Sequence, residues 1–177
     1  MIARAMSTGY LGEYVEPNEL AARSEALGGW IPLAEFPRLS TLLDRDTGEV
    51  QIALQFTRDD EGRSIVRGSA TTPAWVTCQR CLESVELELV ASINMVLVKS
   101  DAEAQEMSPR YDTVVLAAEK VELVTLLEDD LILSLPHDAC PDGGRDCPRQ
   151  PVLEHPDHQN ARSDNPFDVL AKLKDTK

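Results

Sequence analysis

The chain has 177 residues, with 17 Lys+Arg against 31 Asp+Glu and a formal net charge of -14. Hydrophobic residues make up 42 % and aromatics only 5 %, so the chain can bury a real and mostly aliphatic core. These values exclude wholesale disorder, a membrane helix of ~20 apolar residues, and nucleic-acid binding driven chiefly by phosphate neutralisation. Arg4 near the start is followed by no apolar stretch, so no secretory signal is expected and a cytoplasmic chain is the starting expectation.

Residues 1–16 carry little periodic signal. Pro17–Leu27 reads as a short helix, with acids early and Gly28-Gly29 as its stop. Pro32 and Pro37 punctuate the next stretch, where only Leu39–Leu43 has strand character. From 49 to 98 the period is two. Val50, Ile52, Leu54 and Phe56 form the inner face of one strand. Asp59-Asp60-Glu61-Gly62 is a turn, and Ser64–Val76 is a second strand, with Pro73 implying an edge or bulge. Val85, Leu87, Leu89, Ala91, Ile93, Met95 and Leu97 line a long third strand whose wet face carries Glu86 and Glu88. Connections this short predict an antiparallel meander.

Asp101–Pro109 reads as a polar loop, and Tyr111–Leu116 as a further strand. Then the period changes. Leu123, Leu126, Leu127, Leu131 and Leu135 recur at helical spacing up to Pro136, so a helix is expected to cover one face of the sheet. On the helical wheel Asp130 falls inside the apolar stripe, and Glu128 and Asp129 fall outside it. Asp130 then either sits at a wet edge or forms a structural ion pair with a sheet arginine, for which Arg80 is the best candidate.

Residues 141–164 are punctuated by prolines and read as a flexible linker. The chain closes on a well-signalled helix start: Asn165 as cap, Pro166 at the first helical position and Asp168 in the first turn. Phe167, Leu170 and Leu173 give it an apolar stripe. With Asn165 and Pro166 they are the candidate partner-binding residues, although the same stripe suits docking back on the chain's own sheet. The expected division is an N-terminal segment 1–29 with a short helix, a core 30–140, the linker 141–164 and the terminal helix 165–177. The expected fold is α+β: a β-meander, as a sheet or partial barrel, under one or two helices.

Chemistry concentrates in the cysteines. Cys78-Gln79-Arg80-Cys81 sits between two strands, and Cys140 and Cys147 follow the helix. A C-x2-C turn brings two thiolates towards one tetrahedral metal, so Cys78, Cys81, Cys140 and Cys147 are candidate ligands of a structural zinc, with His137, His155 or His158 able to replace one. Plain thiols at a turn and a redox pair are the other two readings. The redox reading lacks the helix N-terminus that activates such thiols. His155 and His158 have no regular structure to hold them on one face. Glu128-Asp129-Asp130 diverge on a helix and cannot converge on Mg²⁺. No phosphate loop, nucleophile elbow or dinucleotide fingerprint is present. No catalytic or cofactor-binding residue is therefore assigned.

Three segments, Cys78-Gln79-Arg80-Cys81, Leu127–Pro136 and Asn165–Lys174, together resemble the YceD family, the large ribosomal RNA subunit accumulation proteins. The similarity spans roughly residues 30–177. Cys78, Cys81 and Cys147 fall where members carry cysteine, whereas His137 is displaced and Cys140 is additional. The resemblance implies a non-enzymatic ribosome biogenesis factor that supports accumulation of large-subunit ribosomal RNA. The expected partner is a basic ribosomal protein or a pre-large-subunit particle, held by the acidic body. Direct RNA contact and oligomeric state stay open. The alternative is a metal- or thiol-dependent enzyme, a nuclease or oxidoreductase, built on Cys78 and Cys81.

Overall fold

Alternation of period two over 49–98 leaves the backbone one low-energy solution, which is to pair each strand with the next and turn every second side chain to one side. The computed structural model, which describes residues 9–79, 81–107, 111–137 and 139–140, takes that solution. β4 (Glu49–Arg58), β5 (Ser64–Thr77) and β6 (Ser84–Val98) form an antiparallel meander. Val50, Ile52, Leu54 and Phe56 are buried on its inner face, opposite Val66 and Ala70 of β5 and alongside Leu89, Ala91, Ile93 and Met95 of β6. The β4–β5 turn closes with the Gly62 N–H donating to Asp59 O at 3.0 Å, and Gly62 takes φ +81°, which favours glycine. At Gly68 a side chain would collide with the backbone of Ala53 on β4, so only glycine lets these two strands approach.

The meander is the middle of an open six-stranded sheet. β3 (Ala26–Pro32) pairs antiparallel with β4, and β1 (Gly9–Tyr10) adds to β3 in parallel. β7 (Asp112–Val115) adds to the other side, parallel to Met95–Val98 of β6. A separate ribbon pairs β2 (Tyr14–Val15) with β8 (Val121–Glu122). The fold is α+β with a mixed, mostly antiparallel sheet and few helices. No strand closes it into a barrel among the described residues.

Helix α4 (Leu123–Leu133) lies on the inner face, where Leu123, Leu127 and Leu131 are fully buried in the same cluster as the meander. Helix α1 (Pro17–Ala22) packs beside it on β4 and β5 through Ala21. On the outer face a small second cluster joins Ile65, Val96 and Val98 to Met107 and Tyr111. No helix among the described residues is long and apolar enough to cross a membrane.

Four local expectations change. The helix begun at Pro17 ends at Ala22, and Gly28 and Gly29 are strand residues of β3. Gly29 lies so close to Gly9 and Leu11 of the adjoining N-terminal segment that a side chain there would block the β1 pairing. Leu39 is helical in α2 (Pro37–Ser40), after a 3-10 turn over Leu33–Glu35. The polar stretch after β6 contains α3 (Asp101–Gln105), capped by Ser100, whose hydroxyl accepts from the Glu103 N–H at 3.3 Å. Pro73 behaves as expected of an edge: β4 pairing with β5 stops at Thr71, and only the isolated bridge from Arg45 to Trp75 lies beyond.

Candidate functional site

β5 and β6 outrun β4 and continue as a two-stranded arm that ends in the cysteine turn. The Cys78 N–H donates to Glu83 O at 2.8 Å, and the Leu82 N–H returns to Cys78 O at 2.9 Å. Leu82 takes φ 61° and is exposed. The base of the turn is stapled from outside. Asp44 accepts from Thr77 Oγ1 at 2.7 Å and Ser84 Oγ at 2.6 Å, one residue from each strand. These bonds, the Ser84 one first, hold the Asp44 carboxyl below its ordinary value. Beside it the Arg45 guanidinium lies 4.0 Å over the Trp75 ring. Behind the turn Cys78, Cys81 and Cys140 form one buried cluster with Val85 against it.

Midway along α4 a single carboxylate joins two helices. Glu128 is 3 % exposed. Its Oε1 accepts from the backbone N–H groups of Arg38 and Leu39 at 2.7 and 3.1 Å, and its Oε2 from Arg38 Nε at 2.7 Å. It thus occupies the N-terminus of α2, where the donors left over by the helix need acceptors and favour negative charge. Arg38 also reaches Asp129 at 2.6 Å. Glu128 lies outside the leucine stripe of α4 and is buried because α2 packs on that flank. Asp130 is half-buried, and burial, then the charges of Asp112 and Asp129, push its carboxyl above the ordinary value.

Next to this clamp is an open groove of about 470 Å³ lined by Tyr10, Glu13, Glu35, Glu122 and Glu128. Tyr10 and Tyr14 are each 53 % exposed, so their rings stand in solvent beside the acids. The Tyr10 hydroxyl donates to Glu35 at 3.3 Å and the Tyr14 hydroxyl to Glu122 at 3.0 Å. The Tyr10 ring rests edge-on against Trp30, with centroids 5.5 Å apart. Both phenols are raised: Tyr10 by desolvation and then Glu35, Tyr14 by the Glu122 bond and then the Glu13 charge. The groove offers carboxylates and the Tyr10 ring to a cation. A larger open groove at the opposite end of the sheet, of about 800 Å³, mixes Arg58, Arg63 and Lys99 with Glu61, Glu103 and Glu119. Its Arg63 is already tied to Asp59 and Glu61 at 2.7 and 2.8 Å.

The model of the family "Large ribosomal RNA subunit accumulation protein YceD" matches residues 66–174, more than half of the chain. The chain belongs to the YceD family. The match begins in β5 and takes in the arm, the cysteine turn and α4. A curated relative from Haemophilus influenzae, the "Large ribosomal RNA subunit accumulation protein YceD", is 24 % identical over 167 residues, covering 90 % of this chain and 94 % of its own. That alignment extends the likeness beyond the family match. No solved structure matches the chain significantly.

Of the residues singled out in the sequence, the fold brings Cys78, Cys81 and Cys140 together. Cys147, Arg80 and the terminal Asn165, Pro166, Phe167, Leu170 and Leu173 lie outside the described residues. Among the described residues no three Cys, His, Asp or Glu are arranged to hold a metal ion. The acid that the α4 stripe pointed to was Asp130, yet the deeply buried one is Glu128, and its partner comes from α2. The exposed tyrosines gave no periodic signal. An aromatic next to a glutamate, as in Glu13-Tyr14, was the only local hint.

Proposed function

We propose that this chain is a non-enzymatic ribosome biogenesis factor. It supports accumulation of large-subunit ribosomal RNA by binding a basic ribosomal protein, or a pre-large-subunit particle through such a protein. The observation that carries the proposal is the near full-length likeness to a relative bearing that name. The choice of a protein over bare RNA rests on charge. A chain of net charge -14 is repelled by phosphate, and its groove presents glutamates and the exposed Tyr10, groups that recognise cationic side chains. Long-range attraction of this kind speeds encounter and weakens as salt screens it.

Affinity purification of the tagged chain at low and at raised salt tests the reading, with protein and RNA both identified. Large-subunit ribosomal proteins recovered at low salt and lost at raised salt are expected. Recovery of RNA alone, or of no ribosomal component, would reject it. We further propose that the buried thiols staple the arm as a zinc site, with Cys147 as fourth ligand. The shared burial of Cys78, Cys81 and Cys140 supports this, and the proposal requires Cys147 to complete a set that these three do not form alone. Stoichiometric zinc in the purified protein, lost together with thermal stability in Cys78→Ser, is the expected result. Metal-free protein of unchanged stability rejects it.

A further inference from the structure

Among the described residues β6 is the longest strand, and no other strand covers most of its outer edge. β7 pairs only with Met95–Val98. The direction of the remaining backbone groups follows from two bonds. The Leu116 N–H donates to Val98 O on the β7 side, and the Cys78 N–H donates to Glu83 O on the β5 side. N–H and C=O groups alternate sides along a strand, and the β5–β6 register runs unbroken from Ser64↔Leu97 to Thr77↔Ser84. Glu86, Glu88, Val90 and Ser92 therefore present their N–H and C=O groups to the outer edge. Among the described residues no strand takes them up.

Exposed edges are normally blunted by lysine, proline, a bulge or shortness. The stretch Glu86–Ser92 has no lysine, no proline and no bulge, and spans about 20 Å. Val90 on it is 52 % exposed. The charged side chains of β6 itself are two carboxylates, those of Glu86 and Glu88. They decide the occupant. A second copy would add two more carboxylates to this edge and bring no cation to offset them. The chain's own segment 141–164 carries three arginines against five acids and is interrupted by four prolines, which donate nothing to a ladder.

We propose that the outer edge of β6 between Glu86 and Ser92 takes an extended, lysine- or arginine-rich polypeptide segment as an added strand. This deepens, and rests on, the ribosomal-protein reading above. Main-chain bonds from the edge supply binding, and the side chains of Glu86 and Glu88 select positive partners.

The test is amide hydrogen exchange of the full chain at low salt with a capped octapeptide of alternating lysine and valine. Exchange at Glu86, Glu88, Val90 and Ser92 is expected to slow at least about tenfold, with no change at Leu87 and Leu89, which already face β5. Val90→Pro removes one outward donor and leaves the β5 ladder intact, so it is expected to lose this protection without losing thermal stability. Should that variant unfold, Glu86→Lys with Glu88→Lys, both exposed, is expected to show the same loss. Equal protection by a glutamate–valine peptide, protection confined to the Tyr10–Glu35 groove, or peptide-free protection that grows with protein concentration would each overturn the proposal. Sedimentation with pre-large-subunit particles separates the two levels. A folded Val90→Pro protein that sediments as well as the parent overturns the edge and leaves the ribosomal reading standing. A parent chain that gains peptide protection but does not sediment overturns the ribosomal reading and supports the edge.

Discussion

The meander and the α2–α4 clamp are held by opposite means. In β4, β5 and β6 stability is spread over many aliphatic contacts and an unbroken register, so no single side chain carries much of it. In the clamp one carboxylate, Glu128, accepts three bonds from residues about ninety positions away and is sealed from water. Spread contacts degrade gradually. A concentrated polar contact fails at once, because its loss leaves donors buried without acceptors.

That contrast is easiest to break at Glu128. Glu128→Ala is expected to cost about 3 kcal/mol, read as a lower denaturant midpoint with unchanged slope. Ile52→Val, in the middle of the meander, is expected to cost about 1 kcal/mol. Equal costs would erase the distinction. Asp130, two residues along, has the opposite sign. Its carboxyl is raised, so ionisation opposes folding, and the penalty appears as pH rises through the ordinary carboxylate value. Asp130→Asn should therefore stabilise the protein at neutral pH by a few tenths of a kcal/mol, discounted for its partial exposure, and the gain should vanish on acidification. A destabilised Asp130→Asn protein would mean that Asp130 has an attractive partner, as the expected Arg80 pair required.

The smallest expected effect is local. Asp44 is held below its ordinary value by Ser84 and Thr77, so its contribution is fully present above the unfolded carboxylate value and is lost as pH falls through the lower, folded one. Amide protection at the base of the arm, at Val76, Cys78 and Val85, should fall over that acid range while the meander stays protected. In Asp44→Ala the protection of the arm should be low and flat with pH. An arm whose exchange ignores both pH and the substitution would show that the staple does not hold it.

The same contrast explains what the sequence disclosed. Alternation of apolar side chains is a local signal, and it located β4, β5, β6 and their turn closely. The leucine spacing located α4. The C-x2-C spacing put Cys78 and Cys81 at a strand-to-strand turn, and the fold adds Cys140. The clamp left no such trace: Glu128 reads as a solvent residue on its own helix, and only α2, packed on its flank, buries it. Gly28-Gly29 reads as a helix stop because glycine serves both there and where strands crowd, and the crowding by Gly9 and Leu11 comes from another part of the chain. Helix α3 reads as loop in the sequence, although its start carries a local signal. Ser100 and Glu103 form a capping pair, with Glu103 accepting from the Lys99 N–H at 2.8 Å, a signal hidden inside a polar stretch.

The central claim is that the acidic surface is what serves the ribosome. Its most direct measurement is the ratio of large- to small-subunit ribosomal RNA in cells lacking the protein, supplied either with the parent chain or with Glu13→Lys, Glu35→Lys and Glu122→Lys combined. These three glutamates are exposed and none of them bonds to Arg38, Leu39 or Glu128, so the variant should fold. The account predicts that the parent restores the ratio and the folded, charge-reversed chain does not. Full restoration by the charge-reversed chain would contradict it.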